Sequence, residues 1–161
     1  MQVIGVVAPS GCGKNELGQY LSDKYGMAVF SIGRLVEEIT EKRGHHTNRE
    51  NLQKVSAQII EEKGPDFLAR TVIEAIEQSG CEKAVIVGVR TPQDVRAFRD
   101  RYPEFLLVSL IIGDQRARFA RTAAMADVTI RNVGTSAQLQ TEIDLRIASR
   151  LGLTPVSPQE T

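Results

Sequence analysis

Residues 8–16, Ala8-Pro9-Ser10-Gly11-Cys12-Gly13-Lys14-Asn15-Glu16, hold the densest potential chemistry in the chain. Two glycines flank a single residue, and a lysine follows at once. Backbone that curls tightly can aim several consecutive N–H groups at one point, and glycine allows both the curl and the close approach of an anion. A lysine closing the curl adds a point charge. The pattern G-x-x-x-x-G-K-[ST] works in this way: backbone donors cradle phosphates, the lysine reaches the outer ones, and the final hydroxyl ligates Mg²⁺. Here the first position is Ala8 and the last is Asn15. The amide oxygen of Asn15 is a neutral oxygen ligand that stands where the hydroxyl would be. Glu16 and Asp114 are the nearest carboxylates for a water-mediated contact with the ion. The bland alternative is a glycine-containing strand-to-helix turn with a solvated lysine. Cys12 reads as a small residue tolerated inside the loop.

These residues need a strand before them and a helix after them. Val3 to Val7 is a short apolar run, and Leu17, Tyr20 and Leu21 fall on one helical face. Strand, glycine loop, lysine and helix form the phosphate-binding supersecondary unit, with the helix N-terminus adding a positive dipole end. Downstream, Ala28-Val29-Phe30 predicts a second strand, and a helix begins near Arg34. Gly44 stops that helix, and His45 and His46 fall in a solvated loop. Thr47-x-x-Glu50 predicts a capping box for the next helix. Gly64-Pro65 breaks it, with Pro65 in the first turn of another. Ala84 to Val87 predicts a strand buried on both faces, leaving through Gly88-Val89-Arg90. Thr91 caps a helix carrying Pro92 and Asp94 in its first turn. Phe105 to Ile112 predicts a fourth strand, followed by a helix through Ala117, Phe119 and Ala120. Val128 to Ile130 predicts a fifth. A last amphipathic helix carries Leu139, Ile143, Leu145 and Ile147, and a frayed tail begins at Leu153.

Strands alternating with helices imply a parallel sheet covered on both faces, with ligands at the C-terminal ends of the strands. The chemistry is therefore expected where 8–15, 31–34 and 88–91 meet. One domain is expected over 1–150, with a helical lobe at 34–79 and a flexible tail at 151–161. Among 161 residues, 42% are hydrophobic and 25% charged, with a formal net charge of zero. That balance offers nothing to nucleic acid or an anionic membrane. No run has the length of a membrane span, and the start lacks a basic, apolar leader. Two cysteines are too few for a disulfide framework, so the cytoplasm is expected.

On Ala8 to Asn15, Ser31-Ile32-Gly33, Thr47 to Leu52, Gly64-Pro65, Gly88-Val89-Arg90 and Ala126 to Asn132, the chain resembles the P-loop nucleotide kinases. These include adenylate kinase, dephospho-CoA kinase and their small archaeal-type relatives. The resemblance covers about residues 1–150. It implies a three-layer P-loop NTPase fold with a five-stranded parallel sheet in the order 2-3-1-4-5 and a helical acceptor-binding insert. It implies ATP on Ser10, Gly11, Cys12, Gly13, Lys14, Asn15 and Glu16, with Arg118 and Arg121 as lid-base arginines. It also implies Mg²⁺ near Asn15, Lys14 and Arg90 as catalytic groups, and Arg34, Arg70 and Arg90 on a phosphorylated acceptor.

Three departures fall at the chemistry. Val87 stands where the family has a strand-end Asp. Arg34 and Glu37 exchange the acid and base of a Gly-Asp-x-x-Arg pattern. Only Thr122 to Ala126 separate Arg121 from Asp127, where a lid of a few dozen residues is usual. Two readings follow. One is phosphoryl transfer from ATP to a nucleotide or similar phosphorylated small molecule. The other is a catalytically impaired nucleotide-binding protein that senses ATP or serves a protein partner. Both leave homo-oligomers open.

Overall fold

The five apolar runs pair side by side, all parallel, in the order β2-β3-β1-β4-β5. They are β1 (Gln2–Val7), β2 (Ala28–Ser31), β3 (Lys83–Val87), β4 (Leu106–Ile111) and β5 (Val128–Arg131). This is the order and sense expected from the resemblance. The computed structural model describes residues 1–9, 11–112 and 119–157. Successive side chains of a strand point to opposite faces, and β1 shows the consequence. Ile4 and Val6 enter one core with Leu17, Leu21, Leu139 and Ile143. Val3 and Val7 enter the other with Ile32, Val36, Ile59, Val72 and Phe98. Gly5 lies between them because the Phe105 ring presses on its strand: a Cβ there would lie 2.3 Å from Phe105 Cζ.

The first core is roofed by α1 (Lys14–Tyr25) and by the last helix, which runs as α7 (Ser136–Ile143), a π-helical stretch (Asp144–Ala148) and α8 (Ser149–Leu151). The second is roofed by α2 (Ile32–Lys42), α3 (Arg49–Lys63), α4 (Phe67–Ser79) and α5 (Pro92–Arg101). The first three of these form the insert between β2 and β3. A one-turn helix, α6 (Ala120–Ala123), precedes β5.

Several local expectations are corrected. The cap of α3 is Asn48, not Thr47: its side chain accepts the N–H of Asn51 at 2.8 Å. Asn caps at least as well as Thr, so the start moves by one residue. Pro65 precedes α4 instead of entering it, because Asp66 carries the first carbonyl of the helix, bonded to Arg70 N–H at 2.9 Å. Leu145 is exposed, being two residues from Ile143 and so on the opposite side of the helix. The stretch after Leu151 is docked as far as it is described. Leu153 packs on the first core, and Val156 N–H bonds the carbonyl of Lys24 at 2.8 Å.

The last helix also guards the open edge of the sheet. Arg146 and Arg150 donate to the carbonyls of Thr129 and Asp127, at 3.1 and 3.4 Å. Exposed strand edges otherwise invite pairing with another chain. The π-helical stretch begins at Asp144, whose carboxylate receives Tyr20, Tyr25 and Lys24 from α1, at 2.9, 2.5 and 2.8 Å.

Partial burial raises the Asp144 carboxyl, but hydrogen bonds from Lys24, Tyr25 and Tyr20 prevail and hold it below its usual value. A depressed carboxylate contributes stability above its unfolded pKa of about 4, and that stability is lost as pH falls through the folded value. Asp144→Asn should cost about 1–2 kcal/mol and lower Tm by about 2–8 °C. Thermal melts across pH should show that the gap between variant and parent closes in acid.

Candidate functional site

The site forms because neighbouring strands end level. Val6 pairs with Val87, and Ser31 with Val87, so β1, β2 and β3 release their chains on one edge of the sheet. The carbonyl of Val6 then accepts two donors, Gly88 N–H and Val89 N–H, each at 3.0 Å. The segments 8–15, 31–34 and 88–91 meet there, as the strand pattern requires.

Gly11 and Gly13 both take left-handed backbone, with φ of 81° and 89°, which bends the loop back toward α1. Gly13 also has a neighbour. A Cβ there would lie 2.9 Å from the amide nitrogen of Asn132, and that amide donates to the Cys12 carbonyl at 3.0 Å. The loop after β5 therefore ties down the phosphate loop, a role that nothing in the local spacing of Asn132 reveals. Cys12 is buried, as a small residue closing the loop's inner wall. Asn15 and Glu16 lie exposed in the first turn of α1.

Lys14 lines a cavity of about 580 Å³ with Asn15, Ser31, Gly33, Arg34, Glu37, Val87, Gly88 and Arg90. Burial of its ammonium and the neighbouring Arg90 guanidinium both push its pKa down, while Cys12 acts the other way. Two cations held together in a partly dry cavity repel each other, and an anion between them relieves the repulsion.

Arg90 is clamped through its backbone. Its N–H and that of Thr91 point to the Asp94 carboxylate at 3.4 and 3.2 Å, and Asp94 N–H returns to the Thr91 hydroxyl at 3.1 Å. This completes a capping box on α5. Burial pushes the Asp94 carboxyl up, against the hydrogen bonds of the box. On the other side, the buried Thr122 hydroxyl donates to the Arg90 carbonyl at 2.8 Å. The guanidinium passes over Gly33, with Nη2 3.4 Å from where a Cβ would be. Thr122 and Asp94 are positioning residues that sequence reading passed over or took only for a helix-dipole carboxylate.

The remaining sequence candidates divide. Arg34 lines the cavity. Arg70 does not: it pairs with Asp66 at 3.2 Å and donates to the Lys63 carbonyl at 3.2 Å, at the α3–α4 turn. Arg121 is exposed on α6 and does not line this cavity. Ser10, Asp114 and Arg118 lie outside the described residues. For a divalent cation the described residues of the cavity supply the neutral oxygens of Asn15 and Ser31 and the one carboxylate of Glu37, while Val87 offers none, and no three acidic, His or Cys side chains cluster among the described residues. Among the described residues that donor set does not by itself fit a cation held by protein ligands alone.

A second cavity, about 700 Å³, flanks the outer side of the phosphate loop and is lined by Arg131 to Gly134, Gln138, Leu139 and Arg146. Asn132 and Leu139 border both this cavity and Gly13.

The AAA domain family matches residues 7–112. The UPF0200 protein of Methanothermobacter thermautotrophicus is 31% identical over 75% of this chain and 60% of its own length. That of Thermococcus kodakarensis is 31% identical over 76% and 67%. The chain thus spans about 60% of the length of several of its relatives. In fold it is similar to shikimate kinase from Aquifex aeolicus, with TM-score 0.58 and 17% identity over 94% of this chain and 99% of that one. Shikimate kinase from Acinetobacter baumannii, in complex with shikimate, gives 0.55 and 16%, over 94% and 96%.

Two outcomes follow from the geometry. Lys14→Met removes a cation whose charged form is disfavoured by its surroundings, so the ligand-free protein should melt about 1–3 °C higher, a stability gain at a functional site. Val87 is 2% exposed, and its Cγ1 lies 3.0 Å from where a Cβ on Gly18 of α1 would be. Val87→Asp therefore buries a carboxyl against α1 and should cost about 3 kcal/mol. Chemical denaturation would measure that loss, and calorimetry should find no new Mg²⁺ affinity.

Proposed function

The chain belongs to the AAA domain family, within the P-loop kinase-like superfamily, and from that premise we propose that it transfers a phosphoryl group from ATP to a small acceptor held against α2 and α3. The observation that carries this reading is Lys14 and Arg90 facing one cavity at the ends of β1 and β3. Phosphoryl transfer asks a protein mainly for positioning and charge neutralisation. The N–H groups of the loop 8–15 and the start of α1 would hold the nucleotide's phosphates. Lys14 would neutralise charge on the transferring group, and Arg90 would hold the acceptor side, its backbone fixed by Asp94 and Thr122. The base and ribose are assigned to the cavity beside Asn132, Val133 and Gly134. Mg²⁺ is taken to arrive on the nucleotide, as part of the substrate. The setting is the cytoplasm, which fits two free cysteines and the lack of any described helix long and apolar enough to cross a membrane.

A second reading, nucleotide binding that serves sensing or a partner protein, is favoured by one observation: Val87 places hydrocarbon where a carboxylate would organise the cation. Single-turnover transfer from labelled ATP separates the two. The kinase reading expects Mg²⁺-dependent transfer from the parent chain. ATP binding with no transfer to any acceptor selects the second. In calorimetry, Lys14→Met should weaken ATP by roughly ten- to a hundred-fold, the scale of one hydrogen bond to a charged group at about 1.5–3 kcal/mol. Unchanged affinity would remove the loop from both readings.

A further inference from the structure

The geometry points to an acceptor that is a small aliphatic compound carrying a free hydroxyl and a separate anionic group, phosphorylated on the hydroxyl with Glu37 as the base. This rests on the phosphotransfer reading above and specifies its substrate.

Ser31 ends β2 and caps α2 by accepting Arg34 N–H at 3.1 Å, which starts the helix at the cavity. Arg34 and Glu37 are one turn apart on it, and both line the cavity that holds Lys14 and Arg90. Neither side chain pairs with another described residue, whereas ion pairs and hydrogen bonds tie Arg43, Arg70 and Arg99 elsewhere. A guanidinium and a carboxylate, both exposed, thus line one space without a partner among the described residues, open to a ligand.

Glu37 is the only carboxylate among the described residues of that cavity, and it discriminates between acceptors. A phosphate acceptor attacks through an oxygen that is already anionic. It needs no base, and a carboxylate beside it repels it. A hydroxyl is a weak nucleophile until its proton is removed, and a carboxylate in the same cavity can remove it. Arg34 and Arg90 then match an anionic group elsewhere on the molecule.

The walls narrow the class further. Val29 and Leu52 supply aliphatic contact with the buried Val36 and Val87 behind them, and among the described residues no aromatic side chain lines the cavity. A purine or pyrimidine would find no stacking face there. About 580 Å³ must also admit the transferring phosphoryl group, which leaves space for a small molecule. The step is balanced: the hydroxyl oxygen bonds to the γ-phosphorus of ATP, the bond from that phosphorus to the β–γ bridging oxygen breaks, ADP departs with the electron pair, and the hydroxyl proton passes to Glu37.

The test uses the full chain with MgATP labelled in its γ-phosphate. One panel holds glycerate, gluconate and shikimate, a second holds glycerol 3-phosphate and sugar phosphates, and a third holds AMP, CMP, UMP and dephospho-CoA. At least one compound of the first two panels should be labelled ten-fold faster or more than any of the third, and which panel responds identifies the anionic group as carboxylate or phosphate. Glu37→Gln should lower kcat about 10²–10⁴-fold and abolish the acid limb of the pH–rate profile, with acceptor KM within about three-fold. Arg34→Ala should raise acceptor KM about ten-fold and leave ATP affinity unchanged. Faster labelling of the nucleotide panel overturns the substrate class while phosphotransfer stands. No labelling of any panel by a chain that binds ATP overturns both. A Glu37→Gln loss restored by raising Mg²⁺, or an unchanged pH profile, overturns the role of the base.

Discussion

The carbonyl of Val6 is the hinge on which the site depends. It accepts the N–H groups of both Gly88 and Val89 at 3.0 Å, so β1 and the exit of β3 cannot separate without orphaning a buried polar group. Parallel pairing alone would align the two strands. This extra donor turns the chain after β3 across the mouth of β1 and brings Arg90 within electrostatic reach of Lys14. The strand order makes the contact available. With β1 between β3 and β4, the first phosphate-directed loop of the chain is central, and every other loop of that edge must approach it.

From that contact follows a balance of charge. Lys14 and Arg90 face one cavity, and burial works against the lysine's charge. Such an arrangement is costly in the empty protein and favourable once an anion arrives, which is the usual relation between a binding site and fold stability. The structure absorbs the cost through rigid surroundings. Asp94 closes a capping box behind Arg90, Thr122 holds the Arg90 carbonyl, and Asn132 holds the Cys12 carbonyl. These ties come from three separate elements, so the loop and the arginine are held from outside their own strands.

The opposite side of the sheet shows the same use of polar groups for placement. Asp144, at the start of the π-helical stretch, gathers Tyr20, Tyr25 and Lys24 from α1. π-helical turns aim a side chain where an uninterrupted α-helix would not, and here the side chain fastens the helix that carries Lys14. Arg146 and Arg150 then cover carbonyls on the open edge of β5. The last helix is therefore joined to the site at two removes, through α1 and through the loop of Asn132.

The sequence by itself determined the sheet, its parallel sense, the phosphate loop and the edge on which chemistry gathers, because hydrophobic period, glycine placement and the run to Lys14 are local properties. It also marked Arg34, Glu37, Val87 and Arg90 as the positions to watch. It misjudged element starts at Asn48 and Phe67, where two neighbouring residues cap or enter a helix about equally well and packing chooses between them. It grouped Arg70 with the acceptor; in the structure Arg70 does not line the cavity and pairs with Asp66, the cap residue of its own helix. Only the tertiary structure decided that Asn132 holds a loop 120 positions away, that Thr122 and Asp94 grip the backbone of Arg90, and that Val87 is sealed against α1. The Asn132, Thr122 and Val87 contacts join segments far apart in the chain, and contacts of that kind leave no periodicity or spacing for a sequence to display; the Asp94 grip is local, a capping box whose Thr-x-x-Asp spacing is legible but whose hold on Arg90 is not.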